Sequence, residues 1–337
     1  MKTYTLGASP VMPFGLDHCI PSLNEYWRLD DTESRLVSED IRKRSKTTAG
    51  GRVRFRTNAK EMTIRLDLKT LGLDICMAIC ASSGADVYAG KGIHSRYLGQ
   101  INPKTYDNHH PEQTFRLNGD LQDITVNLPR NEEISGLSVT VNDDADVLEP
   151  SPYTRSGKIC FYGSSITEGG CCSRPGNAYT AVVSRWLDCD YMNLGFSGAA
   201  KGEDAMADII AGRQFSCLVY DYDHNAPSAE HLEKTHAAFF RRIRNKCPRM
   251  PVIFMTKPDY DSDPDGSALR REIIHRTYAN ALSEGDKNVY FLDGETFFGV
   301  LGRDMCTVDG CHPNDLGFFR MAEIVYGLMI RIPGIMK

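Results

Sequence analysis

Hydrophobic and polar residues alternate with period two from Arg52 to Leu68. Val53 and Phe55 stand against Arg52, Arg54 and Arg56, and Met62, Ile64, Leu66 and Leu68 against Thr63, Arg65 and Asp67. This is the pattern of paired strands with one dry and one wet face. It recurs in Ile124-Thr125-Val126-Asn127-Leu128-Pro129 and in Leu137-Ser138-Val139-Thr140-Val141, with Gly- and Asn-containing turns between. Residues 1–150 therefore read as an all-β sandwich, and Pro150-Ser151-Pro152 as the linker that ends it. Beyond the linker the period changes. Short apolar runs at 158–162, 190–194, 217–222, 252–256 and 289–292 alternate with segments of helical length that begin near Pro175, Glu203, Ser228, Ser267 and Asp315. Several of these open on the Ser, Pro or acidic residues that helix starts favour. Strand and helix in alternation predict an α/β domain over 151–337, a doubly wound parallel sheet covered on both faces. In such sheets ligand groups gather beyond the carboxyl ends of the strands.

A chain of 337 residues suits two cores of ~100 to 200 residues each. The net charge of -5, with basic residues interspersed among acidic ones, leaves nothing to neutralise a phosphate backbone and excludes nucleic acid as a partner. No stretch approaches the ~20 apolar residues needed to span a bilayer, and Met1 to Gly7 lead into polar, Pro-containing sequence rather than an apolar secretory core. No membrane association is expected. Eleven cysteines, an odd number at irregular spacing, fit a reducing, cytoplasmic setting better than a disulfide framework. Cys76 and Cys80 lack a second matching pair, so no zinc site is expected, and the thiols read as small buried hydrophobes. The acidic stretch 259–266 lacks the closing Glu of a calcium loop and reads as a solvated turn.

Candidate chemistry lies at two of the predicted turns. Gly163-Ser164-Ser165-Ile166-Thr167-Glu168-Gly169 follows the first apolar run, and places a serine hydroxyl at a strand-to-helix turn near backbone N–H groups that can steady an oxyanion. A capping serine is the plain alternative. Asp309-Gly310-Cys311-His312-Pro313-Asn314 precedes the last helix. An Asp three residues ahead of a His in a turn closed by Pro lets the carboxylate hold Nδ1–H, so that Nε2 can accept a serine proton. Of nine histidines only His312 has this context.

With these residues in view, the chain resembles the SGNH (GDSL-like) hydrolases, whose four sequence blocks recur in order over roughly residues 158–330. The first block matches 163–169 and implies Ser165 as nucleophile, although the usual Asp before it is Ser164 here. The second matches Asn193-Leu194-Gly195-Phe196-Ser197-Gly198 and implies Gly198 as an oxyanion donor. The third matches Asp223-His224-Asn225, with Asn225 as side-chain donor, and has lost the usual Gly-x-Asn-Asp on both sides of the Asn. The last matches 309–312, with His312 as base and Asp309 as its partner. The layout of the first half resembles the jelly-roll-like domain of two-domain carbohydrate esterases of the acetylxylan-esterase kind. The resemblance implies a serine esterase acting through an acyl-enzyme on short, acetyl-type O-esters of saccharides, with the Ser165 and Gly198 N–H groups and the Asn225 amide holding the oxyanion. It needs no metal or organic cofactor. Arg174 reads as a holder of an anionic or hydroxyl-rich substrate group or as a surface ion pair, and His224 as a substrate contact or a packed histidine. Trp27 reads as core or a sugar platform, and Trp186 as core. Polar loops, 221–225 and 259–266 among them, predict a rim that pairs with sugar hydroxyls, with no apolar wall for a long acyl chain. The rival functions are a carbohydrate-binding protein with a relic hydrolase domain, and a lipase or phospholipase.

Overall fold

In strand Glu61–Leu68 the buried positions are Met62, Ile64, Leu66 and Leu68, while Glu61, Thr63, Arg65 and Asp67 reach solvent. The alternation of the sequence is thus the alternation of burial. The computed structural model describes residues 1–335. Glu61–Leu68 lies in a four-stranded antiparallel sheet, between Ile134–Val141 and Glu112–Arg116, with Lys2–Thr5 on the far side of Ile134–Val141. A second antiparallel sheet runs Val147–Leu148, Arg52–Thr57, Gln122–Asn127, Ala85–Ala89, Arg96–Ile101, and Met12–Phe14 also pairs with Arg52–Thr57. Val53, Phe55, Val87, Ile124 and Val126 of the second sheet meet Ile64, Leu66, Val139 and Val141 of the first in one core.

Two antiparallel sheets make this half the expected β domain, and it carries three short helices besides, Asp31–Ser34, Glu39–Ser45 and Ile79–Ser82. Glu39 and Asp40 in the first turn and Arg42, Lys43 and Arg44 in the last match the dipole of Glu39–Ser45, and Ile41 supplies its buried anchor. One expectation needs correction: the Arg face of Arg52–Thr57 is not wet, because Arg52 and Arg54 are buried. Arg52 pairs with Asp190 and lies over the Tyr191 ring at 3.9 Å, and Arg54 stacks on Tyr153 at 3.7 Å. What covers this face is the second half of the chain.

That half is built on a five-stranded parallel sheet in the order Cys189–Gly195, Arg155–Gly163, Cys217–Asp221, Val252–Met255, Val289–Leu292. Alternate residues of the leading strand serve opposite cores. Ile159 and Phe161 join Val182, Val183, Phe318 and Met321 of helices Tyr179–Leu187 and Asp315–Met329. Cys160 and Tyr162 join Met206, Leu232, Phe239 and Ile274 of helices Asp204–Ala211, Ala229–Lys246 and Pro264–Ser283. The sheet is doubly wound. Its chain reverses direction of travel between Arg155–Gly163 and Cys217–Asp221, and a crevice opens at such a switch point. The helix expected from Ser267 starts three residues earlier, because Asp263 caps it through Gly266 N–H and Pro264 fits its first turn. Among the described residues no helix is long and apolar enough to cross a membrane.

Candidate active site

Strand Arg155–Gly163 ends where the neighbouring strand end crowds it. A Cβ on Gly163 would lie 2.3 Å from the Asp221 carbonyl oxygen and 2.1 Å from Thr167 Oγ1, so only glycine passes. Ser164 then caps the helical turn Ser165–Glu168, its Oγ accepting from Ile166 N–H at 3.1 Å. The residue that departs from the family pattern thus performs the capping an Asp would perform. Ser165 stands at the first position of this turn and is 4% exposed.

The second turn brings the histidine to it. Asp309 Oδ1 accepts from the backbone N–H of Cys311 at 3.0 Å and of His312 at 2.7 Å, while Oδ2 lies 2.8 Å from His312 Nδ1. His312 Nε2 is 2.9 Å from Ser165 Oγ. The imidazole sits close over Gly170, where a Cβ would be 3.4 Å from His312 Cδ2. Burial would raise the Asp309 carboxyl, but the hydrogen bonds from His312 and the turn hold it below the usual range. The His312 imidazole is held above its ordinary value, first by the hydrogen bond with Cys311 and then, against the opposing effect of burial, by Asp309.

Gly198 and Asn225 are also brought together, and bonded to each other. Gly198 N–H donates to Asn225 Oδ1 at 3.1 Å, and Asn225 Nδ2 donates to Phe196 O at 2.8 Å. The preceding Ser197 N–H donates to Glu168 Oε2 at 3.1 Å. Glu168 in turn is paired with Arg28, which is fully buried although it comes from the first half of the chain.

His224 lies beside this group, its ring centroid 6.2 Å from that of His312. Its Nε2 is 3.1 Å from Cys311 Sγ, and its Nδ1 faces Asp259 Oδ1 at 3.4 Å. Donor atoms of His224, Asp259 and Cys311, and of Asp309, Cys311 and His312, fall within 4.8 Å of one another; among the described residues these are the two groups able to hold a cation. Arg174 is engaged elsewhere, ion-paired to buried Asp86 at 3.3 Å, bonded to the Tyr88 hydroxyl and stacked on Tyr97 at 4.2 Å. Trp27 is core, stacked on His18 at 4.3 Å beneath Lys46, and its ring is no open platform. Trp186 packs on Phe319 and Tyr326.

The polar rim read from the sequence is overturned at several positions. Asp221, Tyr222 and Asp223 are buried. Burial lifts the Asp221 carboxyl to about 7 against hydrogen bonds from Thr167 and Tyr179, and Asp223 accepts from Arg270 and from Lys257 N–H. Asp259, taken as part of a solvated turn, is 5% exposed. Apolar surface is present as well. Val300, Leu301 and Met305 are exposed in the segment before Asp309. A cavity of about 500 Å³ lies between Met77, Ala81, Cys171, Cys172, Met305 and Leu316. A polar cavity of about 600 Å³ opens between the two halves, reaching Ser197 and Glu168 from Arg44, Thr70, Arg130 and Glu132. Sequence reasoning had no signal for Arg28, Glu168 or Asp259. Cys311 was in plain view between Asp309 and His312.

A model of the GDSL-like Lipase/Acylhydrolase family matches residues 156–330. The N-terminus of the Esterase_SGNH_hydro-type matches residues 17–147. No curated protein sequence matches the chain. Among solved structures, a Bacteroides ovatus ATCC 8483 protein described as GDSL-like is 24% identical, with TM-score 0.85 and 98% of each chain covered. The salicylyl-acyltransferase SsfX3 from a tetracycline biosynthetic pathway is 16% identical, with TM-score 0.82 over 99% of this chain and 98% of that one. An acetyl xylan esterase, Est2A, from the rumen bacterium Butyrivibrio proteoclasticus is 14% identical, with TM-score 0.55 over 86% of this chain and 92% of that one. With its parallel sheet, its serine turn after the leading strand and a family model spanning more than half of its length, the chain belongs to the GDSL-like lipase/acylhydrolase family, whose enzymes are ester hydrolases of the SGNH type.

Proposed function

We propose that the protein hydrolyses short-chain O-esters of hydroxyl-rich alcohols through Ser165, His312 and Asp309. The observation that carries this reading is the continuous chain from Ser165 Oγ through His312 Nε2 at 2.9 Å to Asp309 Oδ2 at 2.8 Å from Nδ1. Ser165 Oγ attacks the ester carbonyl as Nε2 takes its proton, and Asp309 steadies the imidazolium without accepting the proton. The carbonyl oxygen becomes an oxyanion beside Ser165 N–H and the Asn225 amide, which has spent one Nδ2–H on Phe196 O and has a second to give. Gly198 N–H, shared with Asn225 Oδ1 in the resting site, joins as the oxyanion competes for it. The imidazolium then protonates the departing alcohol, and water attacking the acyl-enzyme repeats the cycle with His312 as base.

The polar cavity of about 600 Å³ beside Ser197 suits a hydroxyl-rich alcohol portion, and the acetyl xylan esterase among the structural neighbours is compatible with a saccharide acetate. A bulkier acyl group is the second reading, favoured by the apolar cavity around Met77 and Met305. A relic hydrolase domain is disfavoured by the retained Ser165, His312 and Asp309 contacts. The decisive experiment is Ser165→Ala, together with labelling of the wild-type protein by a serine-reactive phosphonate. Loss of ~10⁶ in turnover and label on Ser165 are expected; an active Ser165→Ala protein refutes the assignment. Rates on p-nitrophenyl acetate, butyrate and octanoate then separate the two acyl readings, because a preference for octanoate selects the apolar cavity.

A further inference from the structure

Cys311 stands between two histidines, and nothing in the proposed acyl transfer uses its sulfur. Its Sγ is 3.1 Å from His224 Nε2, and the opposite ring nitrogen of His224 faces Asp259 Oδ1 at 3.4 Å. That Nδ1 and that Oδ1 are both buried and neither makes a hydrogen bond. A buried carboxylate oxygen beside a buried ring nitrogen is tolerable when the two are opposite charges, and the proton that makes the imidazole cationic leaves the sulfur side facing a positive ring. Cys311 is partly exposed, as is His312, and Asp309 is exposed. The charged groups around it are His224 and His312, the carboxylates of Asp259 and Asp309, and Lys257, whose Nζ lies 3.5 Å from Asp259 Oδ2. Burial pulls the His224 imidazole down, but Asp259 and Cys311 outweigh it and bring it to about 10. Burial likewise pushes the Cys311 thiol up, and hydrogen bonds to His224 and His312 outweigh that and draw it below the ordinary thiol value. For Cys19, Cys171, Cys172 and Cys189, burial wins and the thiols are pushed up.

We propose that Cys311, paired with His224 and backed by Asp259, is a thiolate modification site for small oxidants of the peroxide class and for other soft electrophiles, and that its occupation silences Ser165. Only the silencing rests on the proposed esterase reading; the reactivity of the sulfur stands apart from it. With hydrogen peroxide, the thiolate sulfur attacks one oxygen, an S–O bond forms and the O–O bond breaks. The sulfur loses two electrons to the peroxide. The departing hydroxide takes the proton of the His224 imidazolium and leaves as water, and the product is a sulfenic acid. The sulfur lies within 4.8 Å of a ring nitrogen of His312 and a carboxylate oxygen of Asp309, so the added oxygen crowds the pair that presents the imidazole to Ser165. A small thiol reverses the step by attacking the sulfenic sulfur, releasing water, and a second thiol then releases the disulfide.

The test is site-resolved alkylation of the full chain with iodoacetamide, read by peptide mass spectrometry between pH 6.5 and 9. At pH 6.5, where an ordinary thiol is ~1% ionised, Cys311 is expected to react about fivefold or more faster than the exposed Cys76, with the gap closing towards pH 9. His224→Gln removes the advantage, whereas Ser165→Ala leaves it intact. Under hydrogen peroxide the wild-type protein loses esterase activity and recovers it with dithiothreitol, while Cys311→Ser keeps its own untreated rate at the same dose. Equal alkylation of Cys311 and Cys76 at pH 6.5, or no slowing in His224→Gln, overturns the thiolate site. Equal peroxide inactivation of wild type and Cys311→Ser overturns the silencing. A wild-type protein without esterase activity but with fast, His224-dependent alkylation overturns the esterase reading and leaves the thiolate site standing.

Discussion

Replacing Arg28 by Met should be among the most damaging single changes outside the reacting groups. The Arg28 guanidinium is wholly buried. It donates to Glu168 Oε1 at 2.9 Å, Arg44 O at 2.6 Å, Thr47 O and Oγ1 at 3.2 Å each, and the carbonyls of Asn193 and Gly195, with its face 4.6 Å from the Phe196 ring. Without it Glu168 remains buried with the distant Arg130 at 3.8 Å and Ser197 N–H for company. Removing one member of a buried ion pair costs about 3 to 5 kcal/mol, because the other charge is left uncompensated. With a urea slope of ~3 kcal/mol per molar, the unfolding midpoint falls by ~1 to 1.7 M. Tryptophan fluorescence reads the transition from Trp27 and Trp186, one in each half. Glu168→Gln is destabilising for the same reason seen from the other side, and the double variant Arg28→Met/Glu168→Gln should cost clearly less than the two single costs added. Additive losses, or a loss below ~1 kcal/mol for Arg28→Met, would mean that the pair is not a coupled, desolvated unit and that this reasoning is wrong.

Other expectations concern the reacting groups. In the proposed mechanism activity requires neutral His312, whose value lies above that of a free imidazole, so the acid limb of kcat/KM should fall above ~6.5. Because the hydrogen bond with Cys311 is the foremost cause, Cys311→Ala should move that limb down; a limb that stays put contradicts the assignment of the cause. Asp309→Asn should reduce turnover less than His312→Ala, since the carboxylate orients and stabilises without carrying the proton, and an equal or larger loss would reverse the roles. Asn225→Ala should cost ~10² to 10³ in kcat with little change in KM, as expected for a donor that bonds the oxyanion more strongly than the ground-state carbonyl; a pure KM effect would place Asn225 in substrate binding instead.

The elements were legible because their periods differ. Period two marked Glu61–Leu68 and the strands around it, and short apolar runs marked the parallel strands. The turn residues Ser165, Asp309 and His312 were legible because their chemistry is local, each set within a few residues of a strand end or helix start. What periodicity does not carry is the identity of the body that covers a face. Arg52 and Arg54 look like solvent-facing residues along the chain and are buried because the second half lies on them. Asp221, Asp223 and Asp259 look like a wet rim and are buried by partners 34 or more residues away, Tyr179, Lys257 and His224 among them. Long-range pairing of polar groups leaves no repeat in a sequence: Arg28 and Glu168 are separated by 140 residues, and Glu33 and Arg213 by 180.

The seam between the halves constrains how a substrate is admitted. It carries Arg28 on Glu168, Arg52 on Asp190, Arg174 on Asp86 and Lys91 on Asp188, each with at least one buried member. The connecting segment is pinned too, by Thr154 N–H on Asp188. Swinging the halves apart as a hinge would break all of these at once. Ties that must all part together oppose a hinge motion between the halves. Entry and exit then fall to short surface segments, among them the ones carrying exposed Leu73 and Ile75 and exposed Val300, Leu301 and Met305, and turnover gated by release should respond to changes there and not to changes in the linker.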